Sequence, residues 1–216
     1  MRPSDRGGSP GGAPAAIDCI VLAAGASSRM GRSKIHLPFG ESTILGTTVG
    51  KALAAGLRVI VVGRVEDEKL GDLASERVLV LRNSDPDRGM ISTLRVGLAA
   101  VESERFFFIP ADMPLVGPGV YAALAASGGR GPAIPTLEGR RGHPVLLPSS
   151  LIPAIIALPE GLPLKTLIEA ATPVLVPTAD GGIIVDIDDP EEYEAAIAAT
   201  ALPGQAAISG IPPAGE

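Results

Sequence analysis

The run Leu22-Ala-Ala-Gly-Ala-Ser-Ser-Arg-Met-Gly31, with Lys34 three residues further on, joins a loop of small residues to two cations. Such a loop lets backbone N–H groups approach phosphate oxygens closely, and Arg29 and Lys34 supply the charge that a polyphosphate needs. Leu22, Ala23, Ala24, Gly25, Ser27 and Ser28 are therefore candidate nucleotide-binding positions, with the amides of residues 24–28 as donors. The Walker pattern is absent, because Arg32 stands where its lysine would follow the second glycine. The dinucleotide pattern Gly-x-Gly-x-x-Gly is absent too, because position 27 is serine.

Acidic residues recur at two further points. Phe106-Phe-Phe-Ile-Pro-Ala-Asp112 is an apolar run ending in a carboxylate. Asp112 reads locally as a helix N-cap before Leu115 or as a Mg²⁺ ligand, and the phosphate loop tips the balance to the metal. In Asp186-Ile-Asp188-Asp189-Pro190, Asp189 stands directly before Pro190 and is the better helix cap. That leaves Asp188 as the second metal ligand, with Asp186 weaker. Period-2 alternation along a strand over 183–187 would put Asp186 and Asp188 on one face.

Asn83 to Ser92 has the residues of an ordinary turn. Its functional reading is a lid on a base, in which Asn83, Gly89 and Ser92 touch the nucleotide. Gly142-His143-Pro144, behind Arg140-Arg141, is either structural or an acceptor-binding point at His143. His36 reads as structural. Cys19 stands alone and inside an apolar run, so it reads as a small buried hydrophobe.

These residues need a scaffold, and the pattern around them supplies one. Apolar runs at 17–22, 58–62, 78–81 and 106–109 alternate with helical patterns at 44–55, 91–101 and 119–126. That order predicts an α/β fold: a three-layer, doubly wound and mostly parallel sheet with right-handed crossovers. In such a sheet ligands bind at the carboxyl ends of the strands, where both the loop and Asp112 fall. After residue 130 short strands at 133–135, 144–147 and 174–176 mix with helices at 151–157, 164–170 and 191–199. The reading is one domain over 17–199, with a nucleotide-binding part at 17–130, an acceptor-binding part at 131–199, and Gly/Pro/Ala-rich disordered tails at 1–16 and 200–216.

The bulk numbers agree. The chain has 216 residues, 46% hydrophobic and 19% charged, enough for a core and too apolar for global disorder. A net charge of −6 and 3% aromatics argue against a nucleic-acid partner. No run reaches the roughly 20 apolar residues needed to span a bilayer, and the first residues lack the apolar segment of a secretory signal. A cytoplasmic location is expected.

Together the motifs resemble the nucleotidyltransferases that complete the molybdenum cofactor, in their cytidylyltransferase branch. The carriers are Leu22–Gly31 with Lys34, Leu37-Pro38, Asn83 with Gly89-Met90 and Ser92, Pro110–Pro114, Gly142–Pro144 and Asp186–Pro190. Ala24, where guanylyl-transferring relatives usually carry glycine, resembles the cytidine pattern, while His36 departs from the usual aliphatic or Met. The resemblance implies transfer of CMP from CTP to the phosphate of molybdopterin, with release of pyrophosphate. Arg29, Lys34 and Asp112 would then be catalytic, and Mg²⁺ would sit on Asp112 and Asp188. It also implies a molybdenum hydroxylase client or an accessory chaperone as partner. The alternatives are a sugar-phosphate nucleotidyltransferase and an NAD(P)H-binding reductase or accessory protein on the same fold.

Overall fold

The computed structural model describes residues 17–25 and 34–201. Ser27, Ser28 and Arg29, the expected tail at 1–16, and the expected tail at 200–216 apart from Thr200 and Ala201, which end the last helix, lie outside the described residues.

In chain order the elements are β1 (Asp18–Ala23), β2 (Pro38–Phe39), β3 (Ser42–Thr43), α1 (Ile44–Ala54), β4 (Arg58–Arg64), β5 (Val78–Asn83), α2 (Met90–Leu98), β6 (Arg105–Pro110) and α3 (Pro118–Ala125). They continue as β7 (Ala133–Leu137), β8 (Arg140–Arg141), β9 (Val145–Pro148), α4 (Ile152–Ala157), α5 (Leu164–Ala170), β10 (Val174–Pro177) and α6 (Pro190–Ala201). The main sheet has the order β10-β7-β9-β6-β1-β4-β5, with β8 paired to β7. β1 lies parallel between β4 and β6, and β5 extends that parallel half. β9 runs antiparallel between β6 and β7, so one sheet continues unbroken from the first half of the chain into the second.

Central strands buried on both faces must be apolar throughout, and all six residues of β1 are buried. Their alternation divides the core in two. Cys19, Val21, Val61 and Phe107 pack under α1 and α3, against Leu45, Val49, Tyr121 and Leu124. Ile20, Ile60, Val62 and Phe108 pack under α2, α4 and α5, against Leu94, Ile155 and Ile168. This is the expected mostly parallel α/β sheet with helices on both faces. Cys19 is fully buried and its thiol pKa is pushed up by desolvation and by Asp18.

One element differs from expectation. Residues 183–187 are not a strand: Gly181–Ile184 is a 3-10 turn and 185–189 runs on without a ladder. The apolar alternation there is real but has another cause, since Ile183 and Ile187 fill two separate clusters. The turn is pinned by Asp180, which accepts from Gly182 N and Gly117 N, both at 2.9 Å. Gly142 makes room for it, because a Cβ there would lie 2.1 Å from the Ile183 carbonyl oxygen.

Candidate functional site

Asp112 follows the end of β6, and its backbone is held from three sides. Ala111 N donates to Leu22 O (3.1 Å), Thr48 Oγ1 donates to Ala111 O (3.0 Å), and Ile187 N donates to Asp112 O (3.0 Å). The last bond draws the segment 185–189 across the sheet edge and sets Asp188 beside Asp112. Asp112 caps no helix: α3 begins six residues later behind Gly117. Asp189 does cap α6, accepting from Glu192 N (2.9 Å) while the Glu192 carboxylate accepts from Asp188 N and Asp189 N. This is a reciprocal capping box, and it frees the Asp188 side chain to face the other way.

Lys34 opens a one-turn 3-10 helix, Lys34–His36. Its Nζ lies 2.6 Å from Asp112 Oδ2 and 2.6 Å from Asp188 Oδ1. Two carboxylates 154 and 78 positions away in sequence thus meet on one cation, their oxygens no further apart than twice that distance. Burial works against the ammonium, but its hydrogen bonds to Asp112 and Asp188 outweigh it and hold the Lys34 pKa above the ordinary value. Asp112 Oδ1 is buried and has no hydrogen-bond partner among the described residues. A buried carboxylate oxygen normally finds a donor, so a lone pair left open beside the Lys34 ammonium and Asp188 could take a cation. Asp186 lies close by, and desolvation, then the charges of Asp188 and Asp112, hold its carboxyl above the usual range against the pull of Lys34.

Beside this cluster a cavity of about 390 Å³ opens at the carboxyl ends of β1, β4 and β6. Leu22, Ala23, Ala24 and Gly25 form one wall, with Lys34 and Asp112 at one end and Gly89 and Met90 opposite. Gly89 has φ 89°, a conformation open mainly to glycine, and it leads into α2, whose first turn carries no side-chain cap. An uncapped helix start at a cavity wall offers free N–H groups and the positive end of the helix dipole.

Asn83 and Ser92 stand behind that wall. Asn83 is buried, donates to Ser92 Oγ (3.1 Å) and Thr93 Oγ1 (3.2 Å), and accepts from Asp85 N (2.9 Å). Ser92 Oγ also donates to Asp85 O (2.8 Å). The pair braces the turn that carries Gly89. Thr93 and Arg64, by contrast, line the cavity and were not expected to. Arg64 ends β4, donates through Nε to Ala24 O (3.1 Å) and pairs with Asp87 at 2.9 Å. The available signal was position: β4 is parallel to β1, so its last residue reaches the same edge.

His143 precedes β9 and sits edge-on to Phe108, with ring centroids 5.6 Å apart. It does not line the cavity but lies within the field of Asp186. Burial pushes its pKa down to about 4, against the upward pull of Asp186 and a backbone bond to Phe108. At neutral pH it is therefore an uncharged imidazole, and any contact it makes with an anionic acceptor is a hydrogen bond rather than an ion pair. His36, read from the sequence as structural, has its Nε2 2.6 and 2.8 Å from the two oxygens of Asp67.

Comparison with known proteins bears on the fold and the family. Residues 19–174 match the model of the MobA-like NTP transferase domain. Over 180 residues the chain is 29% identical to the molybdenum cofactor cytidylyltransferase of Escherichia coli K12, covering 82% of this chain and 94% of that one. The fold is also that of Rv0371c from Mycobacterium tuberculosis (TM-score 0.75, 22% identity, 85% of this chain and 98% of that chain). A manganese complex of Rv0371C superposes with a TM-score of 0.70, at 22% identity over 86% of this chain and all of that one. No described helix is long and apolar enough to cross a membrane. With a matched domain spanning most of its length, this chain belongs to the MobA-like NTP transferase domain family and is a nucleotidyltransferase.

Proposed function

We propose that the protein transfers CMP from CTP to the phosphate of molybdopterin, releasing pyrophosphate and forming a cytosine dinucleotide cofactor. The observation that carries the reading is the meeting of Lys34, Asp112 and Asp188 at the end of a cavity walled by Leu22–Gly25. The relationship to the Escherichia coli cytidylyltransferase supports the choice of nucleotide and acceptor.

The residues account for the chemistry as follows. A phosphate monoester has a second pKa of about 6, so the acceptor is already largely dianionic at neutral pH and needs no general base. The protein has to align it with the α-phosphate and neutralise charge. Backbone amides of the loop after β1, with Ser27, Ser28 and Arg29, hold the triphosphate, and Lys34 places a cation on it as charge builds. Ala24, Gly89 and the uncapped start of α2 enclose the nucleoside, and Asn83 and Ser92 keep that wall in place. The part over 131–199 receives the acceptor, with His143 as a neutral hydrogen-bonding contact.

A divalent cation fits this donor set. Mg²⁺ takes one or two carboxylates and fills its remaining positions with water and substrate phosphate oxygens. No group of three His, Cys, Asp or Glu side chains among the described residues forms a complete cage. Asp112, with its open oxygen, and Asp188 would hold the ion, which would supply further charge neutralisation on the phosphates. The reading is tested by pyrophosphate release over a matrix of CTP and GTP, molybdopterin and sugar phosphates, with and without Mg²⁺. CTP with molybdopterin and Mg²⁺ is expected to give the fastest turnover. Faster turnover with a sugar phosphate, or tight metal-independent NAD(P)H binding, would overturn it.

A further inference from the structure

Resting on the nucleotide-transfer reading, we propose that His36 and Asp67 are positioning residues for Lys34. Their hydrogen-bonded pair fixes the single helical turn that aims the Lys34 ammonium at Asp112, Asp188 and the triphosphate. A three-residue 3-10 turn has too few internal bonds to hold itself. Within Lys34–His36, Leu37 N donates to Lys34 O (3.0 Å) and Ile35 is buried in the core. Leu37 O accepts from Ile44 N (3.1 Å), which ties the end of the turn to α1. His36 adds a side-chain restraint, its Nε2 meeting both oxygens of Asp67, with the two side chains only 12% and 16% exposed.

Asp67 is itself anchored. Arg82, near the end of β5, donates to Arg64 O (3.0 Å) and also to Asp67 O. Asp67 N donates to Arg64 O (3.3 Å). Arg64 in turn holds Ala24 O, at the other end of the phosphate loop. Both stems of that loop are therefore moored to the exit of β4: the first through Arg64, the second through Asp67 and His36. Lys34 sits two residues from the second mooring. A lysine has a long, flexible stem, so where its ammonium rests depends on where its backbone is held.

The test is a double-mutant cycle on the full chain, with His36→Ala and Asp67→Ala made alone and in a Lys34→Ala background. Two readouts are used: kcat for pyrophosphate release, and calorimetric affinity for magnesium pyrophosphate, which needs neither base nor acceptor. Each single variant is expected to lose about 10- to 100-fold in kcat, the range typical of partners that orient a ligating group. In the Lys34→Ala background the further loss should shrink to less than about two-fold, because the residue being aimed is gone. His36→Gln, whose amide nitrogen stands where Nε2 stands, should restore most of the rate. Equal losses with and without Lys34, or no loss in either readout, would overturn the proposal and leave the pair as ordinary packing. If the wild-type chain does not turn over CTP with molybdopterin, the proposed function falls. The affinity cycle still decides the role of the pair. If His36→Ala fails to fold, Asp67→Ala removes the same contact from the other side.

Discussion

Asp18 and Asp112 stand at opposite edges of one sheet, at the start of β1 and just past the end of β6, and differ in what their carboxylates lack. Asp18 is 1% exposed and lacks nothing: it accepts from Arg58 Nε (2.6 Å), Glu102 N (2.8 Å), Ser103 N (2.9 Å) and Ser103 Oγ (2.9 Å). Desolvation alone would raise its pKa, but Arg58 and the Glu102 and Ser103 donors overcome it and hold the carboxyl below the usual value. Asp112 shares Lys34 through one oxygen and keeps the other buried and open among the described residues. A saturated acid stabilises a fold. An acid left one partner short costs stability, and the proposed cation would offset that cost.

Breaking Asp112, the proposed cation ligand, should give the largest change. Asp112→Asn keeps the volume and removes the charge, so turnover is expected to fall by on the order of 10³, the several kcal/mol that a charge-neutralising site supplies. The melting temperature should hardly move, because one repulsive buried oxygen goes with the charge. An early-melting variant with full activity per folded molecule would reverse the two assignments. Asp18→Asn should do the opposite. It removes the charge that faces Arg58 Nε and the Glu102 and Ser103 donors, at a cost of about 3 kcal/mol, the usual penalty for breaking a buried pair. Denaturant unfolding reads this loss, and activity of the folded fraction should be unchanged.

The two acids were not equally legible in the sequence. Phe106–Asp112 reads as an apolar strand ending in a carboxylate, and its alternation with helices placed Asp112 and the phosphate loop at one sheet edge. Asp188 was chosen because Asp189 stood next to Pro190, and Asp189 does cap α6. The supporting strand was wrong, since Ile183 and Ile187 are buried in different clusters, and a period of two does not distinguish a strand from an irregular segment serving two cores. Asp18 drew no attention, because its partners Arg58, Glu102 and Ser103 are 40 to 85 residues away and no local spacing announces them. Arg64 was missed for a similar reason: the apolar run stops at Val62, while the ladder with β5 carries the strand on to Arg64.

Lys34 tests the comparison from the cation's side. Lys34→Ala removes the charge shared by Asp112 and Asp188, and a lost transition-state donor costs about 10² in turnover. Asp18 offers a control, because Arg58 is its counterpart: Arg58→Ala should lower stability and leave turnover of the folded enzyme alone. Loss of turnover in the Arg58 variant, measured at a temperature where it stays folded, would mean that the two sheet edges are coupled.

The smallest effect separates the two edges by pH. His143 titrates near 4 in the folded protein, against 6.5 for a free imidazole. Between those values the unfolded chain binds the extra proton, so stability rises with pH through that window and is lost as pH falls from 6.5 towards 4. The slope from a single group is at most about 1.4 kcal/mol per pH unit. Asp18 acts lower: with a depressed folded pKa, its contribution is present above the ordinary carboxylate value of 3.8 and disappears as pH falls below it. His143→Gln, which cannot protonate, should flatten the melting-temperature profile between pH 6.5 and 4 and leave the steeper acid limb intact. Asp18→Asn should flatten the acid limb alone. A profile in which both variants change the same limb would mean that the acid at one end of the sheet and the imidazole at the other unfold the protein through a shared group.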